Sequence, residues 1–264
     1  MDQLEVGGLR IAYERKGEGP LIVLLHGFVG NSQEWRGQID ELSDAFTVVA
    51  WDAPGSGQSS DPPESFRMAE YADCLAGFVD ALDLGRPHVV GLSFGGALAL
   101  ELYRRHPMIP VTLVLASAYA GWTGSLSREV VDQRLQLTLA AADLPSAEFV
   151  RALIPTMLSE AAPIGAVDKL AAIMSEFHAV GFRTMARALA EANLRDVLPR
   201  VNVPTLLLYG DKDVRAPLSV AEDLLTAIPS STLVVMEGVG HMSNVEAAER
   251  FTAEARAFLE RQPS

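Results

Sequence analysis

The sequence predicts an α/β fold: a mostly parallel, doubly wound sheet of about eight strands with an inserted helical layer. Three observations carry that expectation. Short, nearly continuous apolar runs recur along the chain, the pattern of strands covered on both faces. Helical stretches separate these runs, and strand–helix alternation implies parallel pairing through right-handed crossovers. One long interval, 121–199, has helical periodicity without a convincing strand, so it forms a layer of its own rather than a loop.

The elements follow in order. Residues 4–6 and 9–13 alternate or carry β-branched side chains around Gly7-Gly8, a two-residue turn that tolerates positive φ, and so predict an antiparallel hairpin. The runs 21–25, 46–51, 88–92, 111–116, 203–209 and 232–236 predict strands buried on both faces. Helices are expected over 32–43, 68–84, 94–106, 218–228 and 245–261. Within the long interval they are expected over 127–142, 146–158, 167–179 and 182–194, separated by Pro145, Pro163 and Gly181. The chain therefore divides into a core, 1–120 and 200–264, and a helical cap, 121–199, which follows the sixth strand and lies over the carboxyl edge of the sheet. Residues 261–264 are expected to fray.

Composition narrows the function. A chain of 264 residues with 49% hydrophobic content can bury one large core and a small inserted subdomain. No apolar run reaches membrane-spanning length and the opening residues carry no secretory signal, so a cytoplasmic location is expected. Cys74 is the one cysteine, which excludes an internal disulfide and a cysteine-based metal cluster; it is expected to be a buried small hydrophobe. A formal charge of -13 disfavours sequence-independent binding of nucleic acid. No histidine pair is spaced with a carboxylate as a metal site requires, and Gly55 and Gly57 lack the lysine and serine or threonine ending of a phosphate loop. Neither metal nor cofactor is expected.

Gly91-Leu92-Ser93-Phe94-Gly95 joins the run at 88–92 to a helix, where a strained turn would present Ser93 as a nucleophile. A serine hydroxyl needs a base and a carboxylate to orient it. His26, His88, His106 and His178 sit early, at strand or helix ends, or in the cap. His241 stands in the glycine-punctuated loop after the last strand and is the expected base. The acid should follow the preceding strand, where Asp211 suits a turn and Asp213, deeper in the loop, is the expected partner. The backbone N–H groups of Phe28 and Phe94 are the expected oxyanion donors. Phe28, Phe94, Tyr119 and Trp122 are the expected substrate contacts, with Trp35, Met157, Met174, Phe177 and Met185 as further candidates for an apolar wall.

These motifs resemble the α/β-hydrolase fold superfamily, of the capped serine esterase and lactonase type, over essentially the whole chain. The order serine, aspartate, histidine matches, as do His26-Gly27-Phe28 and the D-x-P-G-x-G-x-S turn at 52–59. Serine at 93 departs from relatives that use aspartate there, the haloalkane dehalogenases and epoxide hydrolases. The resemblance implies a serine hydrolase of carboxylic esters or lactones, with enol-lactonases and acyl-homoserine lactonases sharing the layout. Alternatives on the same scaffold are a carbon–carbon bond hydrolase, a cofactor-free perhydrolase or a ligand-binding receptor. The expected partner is a small-molecule ester or lactone, without nucleic acid or membrane; a homodimer is left open.

Overall fold

Gly7 and Gly8 have φ of 57° and 83°, a region closed to most side chains, and they turn β1 (Asp2–Val6) back on β2 (Leu9–Lys16) as an antiparallel hairpin. The structure, a computed structural model, describes residues 1–262; the last two residues of the expected frayed tail lie outside the described residues. β2 pairs antiparallel with β4 (Thr47–Trp51). All later pairings are parallel, through β3 (Leu21–Leu25), β5 (His88–Leu92), β6 (Thr112–Ala116), β7 (Thr205–Gly210) and β8 (Ser231–Met236). The sheet order is β1-β2-β4-β3-β5-β6-β7-β8, so β3 and β5 occupy its middle and their carboxyl ends meet in one place.

Every residue of β3, β4, β5, β6 and β7 is buried, as continuous apolar runs require. The expectation that β8 is likewise buried on both faces fails. It is the edge strand, with Val235 38% exposed, and its apolar composition is that of a central strand without a second neighbour.

The core helices are α1 (Arg36–Leu42), entered through a 3-10 turn capped by Asn31, then α2 (Met68–Leu82) and α3 (Phe94–Arg105). Between β6 and β7 the chain forms α4 (Trp122–Ser125), α5 (Arg128–Ala141), α6 (Ser146–Met157), α7 (Ile164–Ser175) and α8 (Ala179–Glu191). α7 and α8 begin ahead of the expected 167 and 182, directly after Pro163 and His178. α9 (Leu218–Ala227) follows β7, and the expected helix 245–261 is two, α10 (Ser243–Glu246) and α11 (Ala248–Leu259), broken at Ala247 with φ -130° and ψ 52°. Among the described residues no helix is long and apolar enough to cross a membrane. Cys74 is buried in α2.

The α4–α8 layer touches the loops that leave β3, β4, β7 and β8. Phe182 stacks on Phe28 at 4.9 Å, Gly181 abuts Gly55, Arg134 donates to the Arg215 carbonyl and the Met242 N–H donates to the Met157 carbonyl. Those loops all leave carboxyl ends of strands, which puts the helical layer over that edge as a cap.

The Gly55–Gly181 seam is a backbone-to-backbone contact: a Cβ on Gly181 would overlap the Gly55 carbonyl and Cα. Gly181→Ala should therefore destabilise by about 1–3 kcal/mol, the range for overpacking. A drop in Tm of several degrees by calorimetry is expected, and an unchanged Tm would mean that the seam gives way at no cost.

Candidate active site

Ser93 follows β5 with φ 53° and ψ -108°, a positive-φ backbone that a serine adopts only where its surroundings hold it. Three glycines provide the room. A Cβ on Gly91 would strike the Gly95 carbonyl, one on Gly95 would strike the Leu25 carbonyl of β3, and one on Gly96 would overlap the Ala118 side chain. The turn is held from the other side by the Ser93 N–H, which donates to the Ala116 carbonyl at 2.8 Å. The chain then enters α3, so the first free amides of that helix lie beside the serine.

Asp213 lies in the loop after β7 and is fixed by three donors. Its Oδ1 accepts from the Arg215 and Ala216 N–H groups, both at 2.8 Å, and its Oδ2 accepts from His241 Nδ1 at 2.8 Å. Burial alone would raise this carboxyl, but the His241 ring, the Ala216 amide and Ser117 outweigh it and hold it below the usual carboxylate range. An ionised acceptor makes Nδ1 the donating nitrogen, so in the neutral ring the lone pair is on Nε2. Both side chains are buried, at 2% and 0% exposure. Asp211 instead accepts from the Gly238 N–H at 2.6 Å and from Lys212 Nζ at 2.9 Å, linking the loops after β7 and β8. Ser93 is buried at the same edge, and among the described residues no hydrogen bond joins its hydroxyl to His241. Serine–base hydrogen bonds are often long before substrate binds.

The loop after β3 stands against the serine. A Cβ on Gly27 would lie 3.8 Å from the Ser93 Cβ. Among the described residues neither the Phe28 nor the Phe94 N–H donates a hydrogen bond, so both are available to a ligand oxygen. His26 donates from Nδ1 to the Gly27 carbonyl at 2.6 Å and accepts at Nε2 from the Ala53 N–H at 2.9 Å. Both ring nitrogens are thus committed to backbone, and burial holds the ring below its usual range. The Asp52 carboxylate accepts the Ser32 and Gln58 N–H groups at 2.7 and 2.8 Å, which makes the glycine-rich turn a brace for this loop. The other histidines lie elsewhere: His106 on Asp73, His178 on Asp61 and His88 on Thr112.

Phe28 meets Trp122 edge-on at 6.4 Å; Trp122 is buried, as is Tyr119, whose hydroxyl accepts from Arg134. The Phe94 ring packs edge-on against Tyr71 of α2 at 5.3 Å. Trp35 is not at the cleft: it is fully buried against Phe251 of α11. Phe177 stacks on Phe149 at 3.9 Å within the cap, where Met157, Met174 and Met185 are also buried.

Several residues here carry no sequence signal. Arg134 and Arg215 converge beside Phe28 and Trp122. Glu246 accepts from the N–H groups of Gly240 and Ser159, joining the His241 loop to the cap. Glu34 is fully buried behind the Phe28 loop, where its Oε1 accepts from the Gly27 N–H at 3.3 Å and from Asn244 at 3.4 Å. Burial pushes its carboxyl from 4.5 up to about 8, against the opposing pull of the Gly27 amide, Lys169 and Asn244.

With this geometry in place, comparison with known proteins assigns the chain to a family. The alpha/beta hydrolase family matches residues 22–255, and the chain belongs to it. The chain is 31% identical over 269 residues to the dihydrolipoyllysine-residue acetyltransferase component of the acetoin cleaving system of Cupriavidus necator, covering 97% of this chain and 68% of that protein. Among solved structures it is similar to a thermophilic esterase from Thermogutta terrifontis, with TM-score 0.91, 28% identity and 99% of each chain covered. It is also similar to the enol-lactonase from Burkholderia xenovorans, with TM-score 0.89, 25% identity, and 98% of this chain and 100% of that one covered. The chain is a hydrolase of this family.

Glu34 generates a pH prediction. Its folded value lies above its unfolded one, so the folded chain keeps a proton that the unfolded chain releases, and stability falls as pH rises from about 4.5 to about 8. Glu34→Gln keeps an acceptor for Gly27 and removes the ionisation. Each tenfold change in proton affinity is worth about 1.4 kcal/mol, so the variant's Tm should fall several degrees less than the wild type's across that range. Parallel Tm-against-pH curves would show that Glu34 ionises normally.

Proposed function

We propose that the chain is a serine hydrolase that cleaves carboxylic esters or lactones through an acyl-enzyme on Ser93. The observation that carries this reading is a base with a forced tautomer, His241 locked to ionised Asp213, at the same strand edge as a strained serine flanked by two unused backbone N–H groups. In this reading Ser93 Oγ attacks the carbonyl carbon while His241 Nε2 takes its proton. The Phe28 and Phe94 amides receive the oxyanion, where one donor is worth about 3–4 kcal/mol in the transition state. His241 then passes the proton to the departing alkoxide, which in a lactone stays tethered to the acyl group. Water, deprotonated by the same nitrogen, attacks the acyl-enzyme and frees the acid and Ser93.

The esterase and enol-lactonase likeness supports ester chemistry, and the apolar rings of Phe28, Tyr119 and Trp122 suit an acyl or lactone chain. The cap, which holds neither Ser93, Asp213 nor His241, is proposed to select the substrate.

Ser93→Ala should abolish labelling by a fluorophosphonate and lower turnover of p-nitrophenyl esters by several powers of ten while the circular dichroism spectrum is unchanged. Near-normal turnover would overturn the reading. Asp213→Asn should lower turnover by up to about four powers of ten, since an amide enforces the wrong tautomer. Asp211→Asn should affect chiefly Tm; measured side by side, the reverse pattern would move the acid to Asp211.

A further inference from the structure

Two arginines meet at the boundary between cap and core. Arg134, on α5, donates from Nη1 and Nη2 to the Arg215 carbonyl, both at 3.2 Å, and from Nη1 to the Tyr119 hydroxyl at 3.1 Å. Its guanidinium lies 5.3 Å from the Trp122 ring centre. Arg215, two residues beyond Asp213, donates from Nη1 to Thr156 Oγ1 at 3.1 Å, and its guanidinium lies 5.7 Å from the Phe28 ring centre. Both heads are therefore within one aromatic ring of the loop that offers the Phe28 N–H. Both also line a groove of about 640 Å³ between α5 and α6, whose other walls include Leu137, Leu144 and Leu153.

Among the described residues the arginines of the cap and its rim divide into paired and unpaired ones, Arg151 and Arg187 being unpaired as well; what sets Arg134 and Arg215 apart is that they meet at one groove. Arg67 pairs with Glu191, Arg128 with Asp132 and Arg183 with Asp143; among the described residues neither Arg134 nor Arg215 forms an ion pair. The shortage is not of acids, since the chain has 34 aspartates and glutamates against 21 lysines and arginines. Two guanidinium groups on one groove, partly out of water and with no carboxylate in ion-pair contact, are costly unless a ligand supplies the anion. Burial and the neighbouring Arg134 both pull Arg215 below its ordinary value, which Tyr119 and Asp213 only partly oppose. Guanidinium forks match carboxylates bidentately, and most of the N–H donors of Arg215 and the Nε of Arg134 are uncommitted.

We propose that Arg134 and Arg215 form a carboxylate subsite, so that the preferred substrates are esters or lactones that carry a second, ionised carboxyl group away from the scissile carbonyl. The proposal rests on Ser93 being the nucleophile. The Phe28 and Trp122 rings, over which the two guanidinium groups lie, then flank the methylenes between the two functions, while the acidic surface of the protein disfavours the same anions elsewhere.

The test compares p-nitrophenyl monoesters of adipate, pimelate and suberate with the hexanoate, heptanoate and octanoate esters of equal length, so that each pair differs only in methyl against carboxylate. The wild type should favour at least one of the acidic esters in kcat/KM. In Arg215→Gln, and separately in Arg134→Gln, the acidic-to-neutral ratio should fall about ten- to a hundredfold, the range for a charge-assisted hydrogen bond. A ratio holds each variant as its own control for folding. Equal ratios in wild type and both variants overturn the subsite, as does a wild type that favours the neutral ester throughout. A second readout separates this from the hydrolase reading: monomethyl adipate should raise the Tm of Ser93→Ala, and lose that effect when Arg215→Gln is added. Stabilisation without any ester turnover in the wild type would retain the subsite and refute the nucleophile. Turnover without arginine-dependent stabilisation would do the opposite.

Discussion

The whole site hangs on a backbone-to-backbone contact between the first turn of α3 and the end of β3. The Gly95 Cα sits so close to the Leu25 carbonyl at the end of β3 that no side chain fits, and the Gly91 Cα is equally close to the Gly95 carbonyl. That contact lets α3 start directly over the middle of the sheet and forces Ser93 to φ 53°. It also brings the loop after β3 within van der Waals reach of the serine, so one close approach supplies both the projecting hydroxyl and the amides facing it. The strain, about 1–3 kcal/mol for a residue in such a region, is borne by strands whose every residue is buried.

Around this centre the polar groups are committed in graded fashion. His26 commits both ring nitrogens, and Asp52 both carboxylate oxygens, to backbone groups, which makes them braces. Asp213 spends one oxygen on backbone and the other on His241, so it both holds the loop and orients the ring. His241 retains Nε2, and Arg134 and Arg215 retain donors that face a groove. Residual hydrogen-bonding capacity, and not burial, is what separates the groups proposed to meet a substrate from those that shape the loops.

The gathering of Ser93, Asp213 and His241 at one sheet edge is legible in the sequence because each follows a strand, and parallel strands deliver their carboxyl-end loops to one edge whatever the intervening chain does. His26 is set apart from His241 by its early place in the chain. Turn chemistry separates Asp213 from Asp211 in the sequence, and in the structure it is Asp213 that meets His241, while Asp211, expected to stabilise its own turn, instead accepts from Gly238 in the next loop. The remainder is hidden by distance. Glu34 acquires its meaning from Asn244, 210 residues away, and Arg134 from Arg215, 81 residues away. No local pattern marks such pairs, and a charged residue on a cap helix reads as solvated. The double burial expected of β8 fails for a related reason: composition reports apolar character, whereas being an edge strand is a property of the neighbours.

The join between α6 and the loop after β8 makes the cap less modular than its helical sequence implies. The Met242 N–H donates to the Met157 carbonyl, a Cβ on Gly240 would crowd the Ser159 amide, and Glu246 holds both Gly240 and Ser159. The residue between Gly240 and Met242 is His241. A transplant of residues 121–199 onto a related core would cut this seam and release the imidazole from one of its supports. A working chimaera would have to carry Glu246 and the 240–242 loop along with the donor helices, which places the natural graft boundary inside the core rather than at the cap's own ends.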